Sequence, residues 1–302
     1  MEKAIKKKKL KVSDGNIMTT HKGADRIYFT IAFIIFAVHC LSLVIPYVWM
    51  ILSSLKEANE YNLGESLLAL PKGFDIQNYA NALENLYDPV TNTTFFGMIG
   101  NSIWYTFLQA GLACFMPCLT GYVMSKYRFK GREFIYAVVI FSMTVPIVGS
   151  GASTMKLFHT LNLYDTPVRL FVGGLSGFGG TFIVYYGFFK GVSWSYAEAA
   201  QIDGGGPYTI LFRIMLPQAL PIMMTYFLTG AIGAWNEYES IILYMPSYPT
   251  LAVGLFTYRD YARSDMPTYY AGLVISMIPT LVVFATFSSK IMTSVSIGGL
   301  KG

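Results

Sequence analysis

Charge is scarce in this 302-residue chain: Asp, Glu, Lys and Arg make up 13% of it, where soluble globular domains carry about 25%. With 54% hydrophobic residues and a mean hydropathy of +0.46, the shortage excludes an ordinary water-facing surface and a disordered chain. Cysteine is also sparse. Cys40, Cys114 and Cys118 all fall in apolar runs, so no extracellular disulfide framework is available. Cys114 and Cys118 share a helix face at i, i+4, but no His or carboxylate accompanies them, and they read as small packing residues rather than metal ligands. Of the three histidines, His39 lies mid-run, where an ionisable group is expensive, and reads as an interhelical hydrogen-bond partner. No G-x-x-x-x-G-K-[ST] phosphate loop occurs, so the chain is not a nucleotide-driven motor by itself. No nucleophile–base pair or carboxylate pair stands near a plausible pocket, so no enzyme activity, catalytic residue or metal site is expected.

What the sequence does have is apolar length. Uncharged runs cover 27–55, 89–125, 134–155, 170–189, 214–236 and 266–289, each long enough for the roughly 20 residues with which a helix crosses about 30 Å of hydrocarbon. The expectation is an all-α, polytopic membrane protein with six transmembrane helices. Its net charge of +5 has a topological use, because Lys and Arg are retained in cytoplasmic loops. On one side fall Lys3, Lys6, Lys7, Lys8, Lys9, Lys11, Lys22, Arg26, Lys126, Arg128, Lys130, Arg132, Lys190, Arg213, Lys290 and Lys301, which is 16 of the 22 basic residues. The other side has Lys56, Lys72, Lys156, Arg169, Arg259 and Arg263. Both termini are therefore expected in the cytoplasm, with 1–26 a basic tail and 27–302 a six-span domain. The lysine run is not read as part of a cleaved signal peptide, because the apolar run after it is too long and no small-residue cleavage site follows. The cluster suits anionic membrane lipid, and no nucleic-acid partner is expected.

The outward segment 53–95, with Tyr61, Phe74, Tyr79 and Tyr87, reads as short helices on the membrane face. No internal repeat supports an inverted-repeat carrier. The informative stretch is the inward loop from Lys190 to Pro221. Ser195 and Glu198 match an S-x-x-E capping box, which predicts a short helix beginning near Tyr196. Gly204, Gly205 and Gly206 supply residues able to close it, and Pro207 ends it. A second amphipathic turn, Tyr208 to Met215, leads to Leu216-Pro217, where the next span tolerates proline in its first turn. Such an element can transmit force between a soluble partner and a helix bundle.

Glu198-Ala199-Ala200, then Gly204 after three residues and Ile214-Met215-Leu216-Pro217 after nine more, resembles the E-A-A-x3-G-x9-I-x-L-P signature of bacterial ABC importer permeases. Asp203 before the glycine and Pro221 after Pro217 resemble the carbohydrate branch, as do Pro46-x-x-Trp49-Met50, Ser54-Leu55-Lys56 and Asn78-Tyr79. Asn101-Ser102, Tyr127-Arg128-Phe129-Lys130-Gly131, Ala234-Trp235-Asn236 and the terminal Gly299-Leu300-Lys301-Gly302 are similar to its second, maltose permease G-like subunit.

The resemblance implies the type I importer permease core, about 96–302, forming half of a pore, with a second homologous permease as the other half of a heterodimer. Two ATPase subunits, which bind ATP and Mg, dock beneath, and an external solute-binding protein delivers substrate. The protein would sit in the bacterial inner membrane. The chain itself needs no cofactor. Within the coupling loop 191–217, Glu198 is implied to pair with the ATPase, Ala199 and Ala200 to permit close approach, and Gly204 to set the turn, with Asp203, Ile214, Leu216 and Pro217 completing the motif. The expected substrate is a sugar or oligosaccharide, and Asn101, Tyr105, Trp235, Asn236 and Glu237 are the candidate pathway residues. Their competing reading is interhelical packing. Gly205-Gly206 departs from the family's usual residues and predicts a looser turn, and Glu239 stands where an apolar residue is commoner. The rival readings are a permease for a non-sugar solute and an ion-coupled secondary carrier. The second should show intramembrane carboxylates, and the six runs contain none.

Overall fold

The computed structural model describes residues 23–62, 69–145, 149–174 and 177–297. The basic tail up to residue 22 and the terminal Gly299-Leu300-Lys301-Gly302 lie outside the described residues. The chain divides into two units, Met1–Met50 and Ile51–Gly302. The described part of the first is helix α1 (Gly23–Ser54), whose last turn enters the second unit.

Among the described residues the second unit is helical throughout, apart from an isolated antiparallel bridge between Tyr87 and Thr94. Short helices α2 (Ala58–Asn62) and α3 (Gln77–Asn85) occupy the predicted outward segment. Then come α4 (Phe95–Lys126), α5 (Arg132–Thr144), α6 (Gly151–Thr160), α7 (Val168–Gly174), α8 (Gly180–Gly191), α9 (Ser195–Ile202), α10 (Pro207–Thr209), a π-turn over Ile210–Met215, and α11 (Leu216–Trp235). The chain ends with α12 (Glu239–Tyr244), α13 (Leu251–Tyr258), a 3-10 turn at Ala262–Ser264, and α14 (Met266–Ile297).

Among the described residues, four helical stretches are long and apolar enough to cross a membrane: Ile27–Ser54, Phe95–Lys126, Pro207–Trp235 and Met266–Phe287. The runs expected as the third and fourth spans are instead each divided, into α5 with α6 and α7 with α8. At 1.5 Å per residue, the 13 residues of α5 rise only about 20 Å, short of the ~30 Å of hydrocarbon. The breaks have local causes. Pro146 follows α5 and pushes Val145 out of the helical region, to φ −88°, ψ 113°, while α7 and α8 are separated by Gly177 and Gly179, both at positive φ. Absence of charge measured the apolar length correctly and could not register these interruptions.

Helix α4 is central, with α8 and α11 packed along it. Small residues set the approach: a Cβ on Gly121 would lie 2.7 Å from the Tyr185 Cβ and 3.0 Å from the Tyr186 amide, which is how helices associate where lipid supplies no hydrophobic drive. Large apolar side chains point outward, including Phe96, Phe107, Phe134, Phe141, Ile278 and Phe284. An apolar exterior is what a hydrocarbon solvent demands.

The Phe95 end of the bundle carries a strap built from side-chain to backbone bonds. Asn78, 3% exposed, donates from Nδ2 to the carbonyls of Ser54 at 2.9 Å and Lys56 at 2.8 Å. The Tyr79 hydroxyl meets Ser54 Oγ at 2.8 Å, and the Asp75 amide donates to the Leu55 carbonyl at 2.8 Å. The buried Asp88 carboxylate accepts from the Thr91 amide, the Thr91 hydroxyl and the Thr257 hydroxyl, each at 2.8 Å. A buried carboxylate requires such donors, and these join the strap to α13.

Candidate functional site

Residues 191–217, expected to form the coupling loop, make a compact projection beyond the Lys126 end of α4. Helix α9 spans Ser195–Ile202, within a residue of the predicted start. The predicted capping box does not form. Ser195 is already helical, and the residue at the cap is Trp194, without a side-chain bond. Ser193 takes over locally, its Oγ accepting from the Ser195 amide at 3.2 Å and meeting Ser195 Oγ at 2.7 Å. Glu198 is therefore left exposed, and its carboxylate holds no hydrogen bond or ion pair among the described residues.

The end of α9 also corrects the sequence reading. Gly204 adopts φ +82°, its amide donating to the Gln201 carbonyl at 3.0 Å, while the Gly205 amide donates to the Ala200 carbonyl at 2.7 Å. This paired arrangement is a Schellman cap, so the Gly205-Gly206 departure accompanies a tight turn and not a loose one. Gly206 is extended and caps α10, with Pro207 in the first turn. The chain then runs without a break into α11, so Leu216-Pro217 lies inside a continuous helix rather than at its start. Pro217 lacks an N–H, and the preceding turn widens to π geometry, the Leu216 amide donating to the Leu211 carbonyl.

One face of the projection is anchored and the other is bare. Ala197 is fully buried and shares a core with Cys118 and Tyr122 of α4, Tyr185 and Phe189 of α8, and Ile210, Met215, Leu216 and Ala219. Lys126 donates from Nζ to the Val192 carbonyl, and Tyr127 packs edge-on against Trp194. Three helices thus hold α9 in place. On the opposite face Glu198, Ala199 and Asp203 are exposed, with Ile202 86% and Tyr208 80% exposed. Large apolar side chains grouped around an unpaired carboxylate mark a contact surface. Of the other motif residues, Ile214 is half-buried and Pro217 exposed.

The five pathway candidates do not converge on one site. Asn101 donates from Nδ2 to the Pro249 carbonyl at 2.9 Å and accepts from Trp104 Nε1 at 3.1 Å. Its neighbour Ser102 accepts from the Leu251 amide at 2.8 Å, so this pair fixes the entry to α13. Tyr105 is buried among Leu170, Ala234, Ile241 and Met245. Glu237 accepts from the Ser240 amide at 2.9 Å, and Glu239 is exposed in the first turn of α12. Tyr105 and Glu237 meet around Arg169 and Ser240, and Trp235 and Asn236 come together in an open cavity of about 230 Å³ with Tyr238, Phe256, Tyr269 and Ser276. Trp235 Nε1 donates to the Ser276 carbonyl at 3.0 Å, and Tyr238 stacks on Phe256 with centroids 4.5 Å apart. The last three aromatic members escaped the sequence reading; the tyrosine-rich stretch after Glu237 was the available signal.

Arg169 also gains a role that its charge alone did not reveal. It is 6% exposed, donates from Nη2 to the carbonyl and hydroxyl of Ser240 at 3.3 and 3.2 Å, and lies over the Tyr244 ring at 5.4 Å. Asp165 accepts from the amide and hydroxyl of Ser247 at 3.0 and 2.6 Å. These contacts clamp α12 and the turn after it to α7 and the loop before it.

Residues 118–295, which contain the whole projection, match the model of the binding-protein-dependent transport system inner membrane component. The chain belongs to that family. Among relatives of this inner membrane component, a permease protein of Escherichia coli, YcjP, is 28% identical over 295 residues, covering 94% of this chain and 99% of that protein. The diacetylchitobiose uptake system permease NgcG of Streptomyces coelicolor is 25% identical, covering 91% and 90%. The arabinooligosaccharides transport system permease AraQ of Bacillus subtilis is 24% identical, covering 94% and 100%. A chain in the crystal structure of a bacterial ABC transporter that imports the acidic polysaccharide alginate superposes with a TM-score of 0.70 at 24% identity, over 89% of this chain and 98% of that one. The two chains therefore share a fold.

Proposed function

We propose that this chain is one permease half of an ATP-driven importer for a sugar or oligosaccharide in the bacterial inner membrane. A second, homologous permease completes the pore, two ATPase subunits bind the cytoplasmic face, and a solute-binding protein delivers substrate outside. The observation that carries this reading is the two-faced projection: Glu198 free on a bare surface, and Ala197 on the reverse locked into a core shared by α4, α8 and α11. The sugar assignment draws on relatives named for diacetylchitobiose and arabinooligosaccharides and on the fold shared with the alginate importer.

In this reading α5 with α6 and α7 with α8 are bent spans, giving six crossings with both termini in the cytoplasm. Non-helical backbone at membrane depth is tolerated where protein covers it; the Gly177 carbonyl, for example, accepts from Thr120 Oγ1 at 2.7 Å. ATP closes the partner ATPases and draws the projections of both permeases together. Because the projection shares its core with three helices, it cannot move without tilting them, and the pore turns from inward-open to outward-open. ATP drives the shift by binding the closed state more tightly, and hydrolysis by the partner resets it. On the outward side, the aromatic cavity beside Trp235 and Asn236 suits a ligand with both hydroxyls and apolar ring faces.

The test is uptake in a strain lacking this gene. Loss of uptake of one oligosaccharide class, restored by the gene, supports the reading, while normal uptake of every oligosaccharide offered removes it. A membrane-impermeant thiol reagent should label Ser264→Cys from outside in intact cells and Tyr208→Cys only after permeabilisation; the reverse pattern removes the topology.

A further inference from the structure

Near the Lys126 end of α4, the half-exposed Val123 borders two open cavities. One lies against Tyr208 and Pro207 and belongs to the projection. The other is a crevice of about 290 Å³ between α4 and α5, walled by Leu119, Val123, Met124, Phe129, Ile135 and Phe178. Thr120 also borders it, but its hydroxyl donates to the Gly177 carbonyl at 2.7 Å, with the Met116 and Pro117 carbonyls each at 3.1 Å. It therefore offers the crevice no donor. A space that could hold on the order of ten waters at ~30 Å³ each gives them no polar partner, and such cavities take apolar guests instead.

Depth and charge identify the guest. From Leu119 to Lys126 the helix rises about 10 Å, within the ~15 Å that one leaflet contributes to the hydrocarbon core. Ile135 lies in the first turn of α5, so the crevice runs from the 127–131 loop into that leaflet. The loop region carries four basic residues. Lys126 is engaged by the Val192 carbonyl and Arg132 by Glu133 at 2.5 Å. Arg128 and Lys130 are exposed, flank Phe129, and hold no ion pair among the described residues. Unpaired cations at the mouth of an apolar slot in the cytoplasmic leaflet match an anionic lipid.

We propose that this crevice binds an acyl chain of an anionic phospholipid, whose headgroup phosphate is held by Arg128 and Lys130. The proposal rests on the topology given above, which puts the 127–131 loop at the cytoplasmic face.

The test is native mass spectrometry of the assembled importer, purified in detergent and supplied with phosphatidylglycerol or phosphatidylcholine of identical acyl chains. The wild-type complex is expected to retain one phosphatidylglycerol on this subunit and to release phosphatidylcholine. Arg128→Gln combined with Lys130→Gln should lower that affinity about thirtyfold, the weight of two basic residues beside an anionic lipid surface. Val123→Trp, which fills the crevice and leaves the charges in place, should also abolish retention. If that variant does not assemble, the charge pair decides alone. Equal retention of the two lipids, unchanged retention in the double variant, or full displacement by glycerol 1-phosphate lacking acyl chains would each overturn the proposal. Lys130→Cys separates the two readings. Labelling from outside intact cells removes the topology, whereas labelling only after permeabilisation, with no lipid preference, removes the lipid site alone.

Discussion

The Gly205 amide lies 2.7 Å from the Ala200 carbonyl oxygen, and a Cβ on Gly205 would stand 2.8 Å from that same oxygen. The bond and the side chain are mutually exclusive, so Gly205→Ala must open the cap that ends α9. With the Schellman pairing lost, Glu198 and Ile202 shift relative to the anchored Ala197. Substrate uptake by the reconstituted importer is expected to fall severalfold while the chain still inserts. Gly204→Val should act in the same direction, since a branched residue at φ +82° costs about 1–2 kcal/mol. Wild-type uptake in both variants would show that the turn geometry is unimportant.

Glu198→Ala is expected to abolish ATP hydrolysis stimulated by loaded binding protein and to leave stability nearly unchanged, because the exposed carboxylate has no hydrogen-bond or ion-pair partner to lose among the described residues. Removing one member of a desolvated charge pair at an interface costs about 2–5 kcal/mol, enough to release the ATPase. Stimulated hydrolysis at the wild-type rate would end the coupling assignment.

The same segment separates two capping schemes. Since Ser193 Oγ, not Ser195 Oγ, accepts the helix-entry amide, Ser193→Ala is expected to cost about 1 kcal/mol. Ser195→Ala should stay within about 0.5 kcal/mol. Thermal unfolding of the purified complex distinguishes them, and the opposite ranking would restore the capping box.

What the sequence made legible follows from how locally each feature is determined. The E-A-A motif is contiguous, so the short helix and its glycine stop were readable, whereas the capping box and the looser turn expected there were not borne out, because Ser193 takes the entry amide and Gly205 closes a tight cap. Apolar length was readable too, because charge is excluded from hydrocarbon whatever the helix geometry. The breaks after Thr144 and Gly174 were not, since the same residue types also stand inside continuous helices, Pro117 in α4 and Pro221 in α11, so their presence alone does not mark an interruption. The roles of Asn101 and Trp235 depend on carbonyls 148 and 41 residues away, which no spacing in the sequence reveals. The burial of Arg169 against Ser240 has the same cause.

Gly121 tests the packing of α4 on α8. Leucine there would drive its side chain into the Tyr185 Cβ and the Tyr186 backbone, which stand 2.7 and 3.0 Å from the first added carbon. Backbone cannot rotate aside as a side chain can, so the helices must separate. That also loosens the core around Tyr122 and Phe189 that holds α9. Gly121→Leu is expected to destabilise the complex by about 1–3 kcal/mol or more and to uncouple uptake from hydrolysis. Gly100→Leu, at a position where an added Cβ meets nothing, serves as the control and should behave as wild type.

Asn78 gives the sharpest stability prediction away from the projection. Its amide donates to two carbonyls, Ser54 and Lys56, at the point where the chain leaves α1. Asn78→Leu keeps the volume and removes both donors, so the Ser54 and Lys56 carbonyls each lose this hydrogen bond, at about 0.5–1.5 kcal/mol apiece. Asn78→Asp is expected to be worse, because a carboxylate presents oxygen to oxygen and adds a buried charge. Both variants should lower the thermal midpoint of the complex, Asp more than Leu, with the loss for Asp eased at low pH as protonation supplies a donor. If Asp proves milder than Leu at neutral pH, the amide is not the donor that closes this junction.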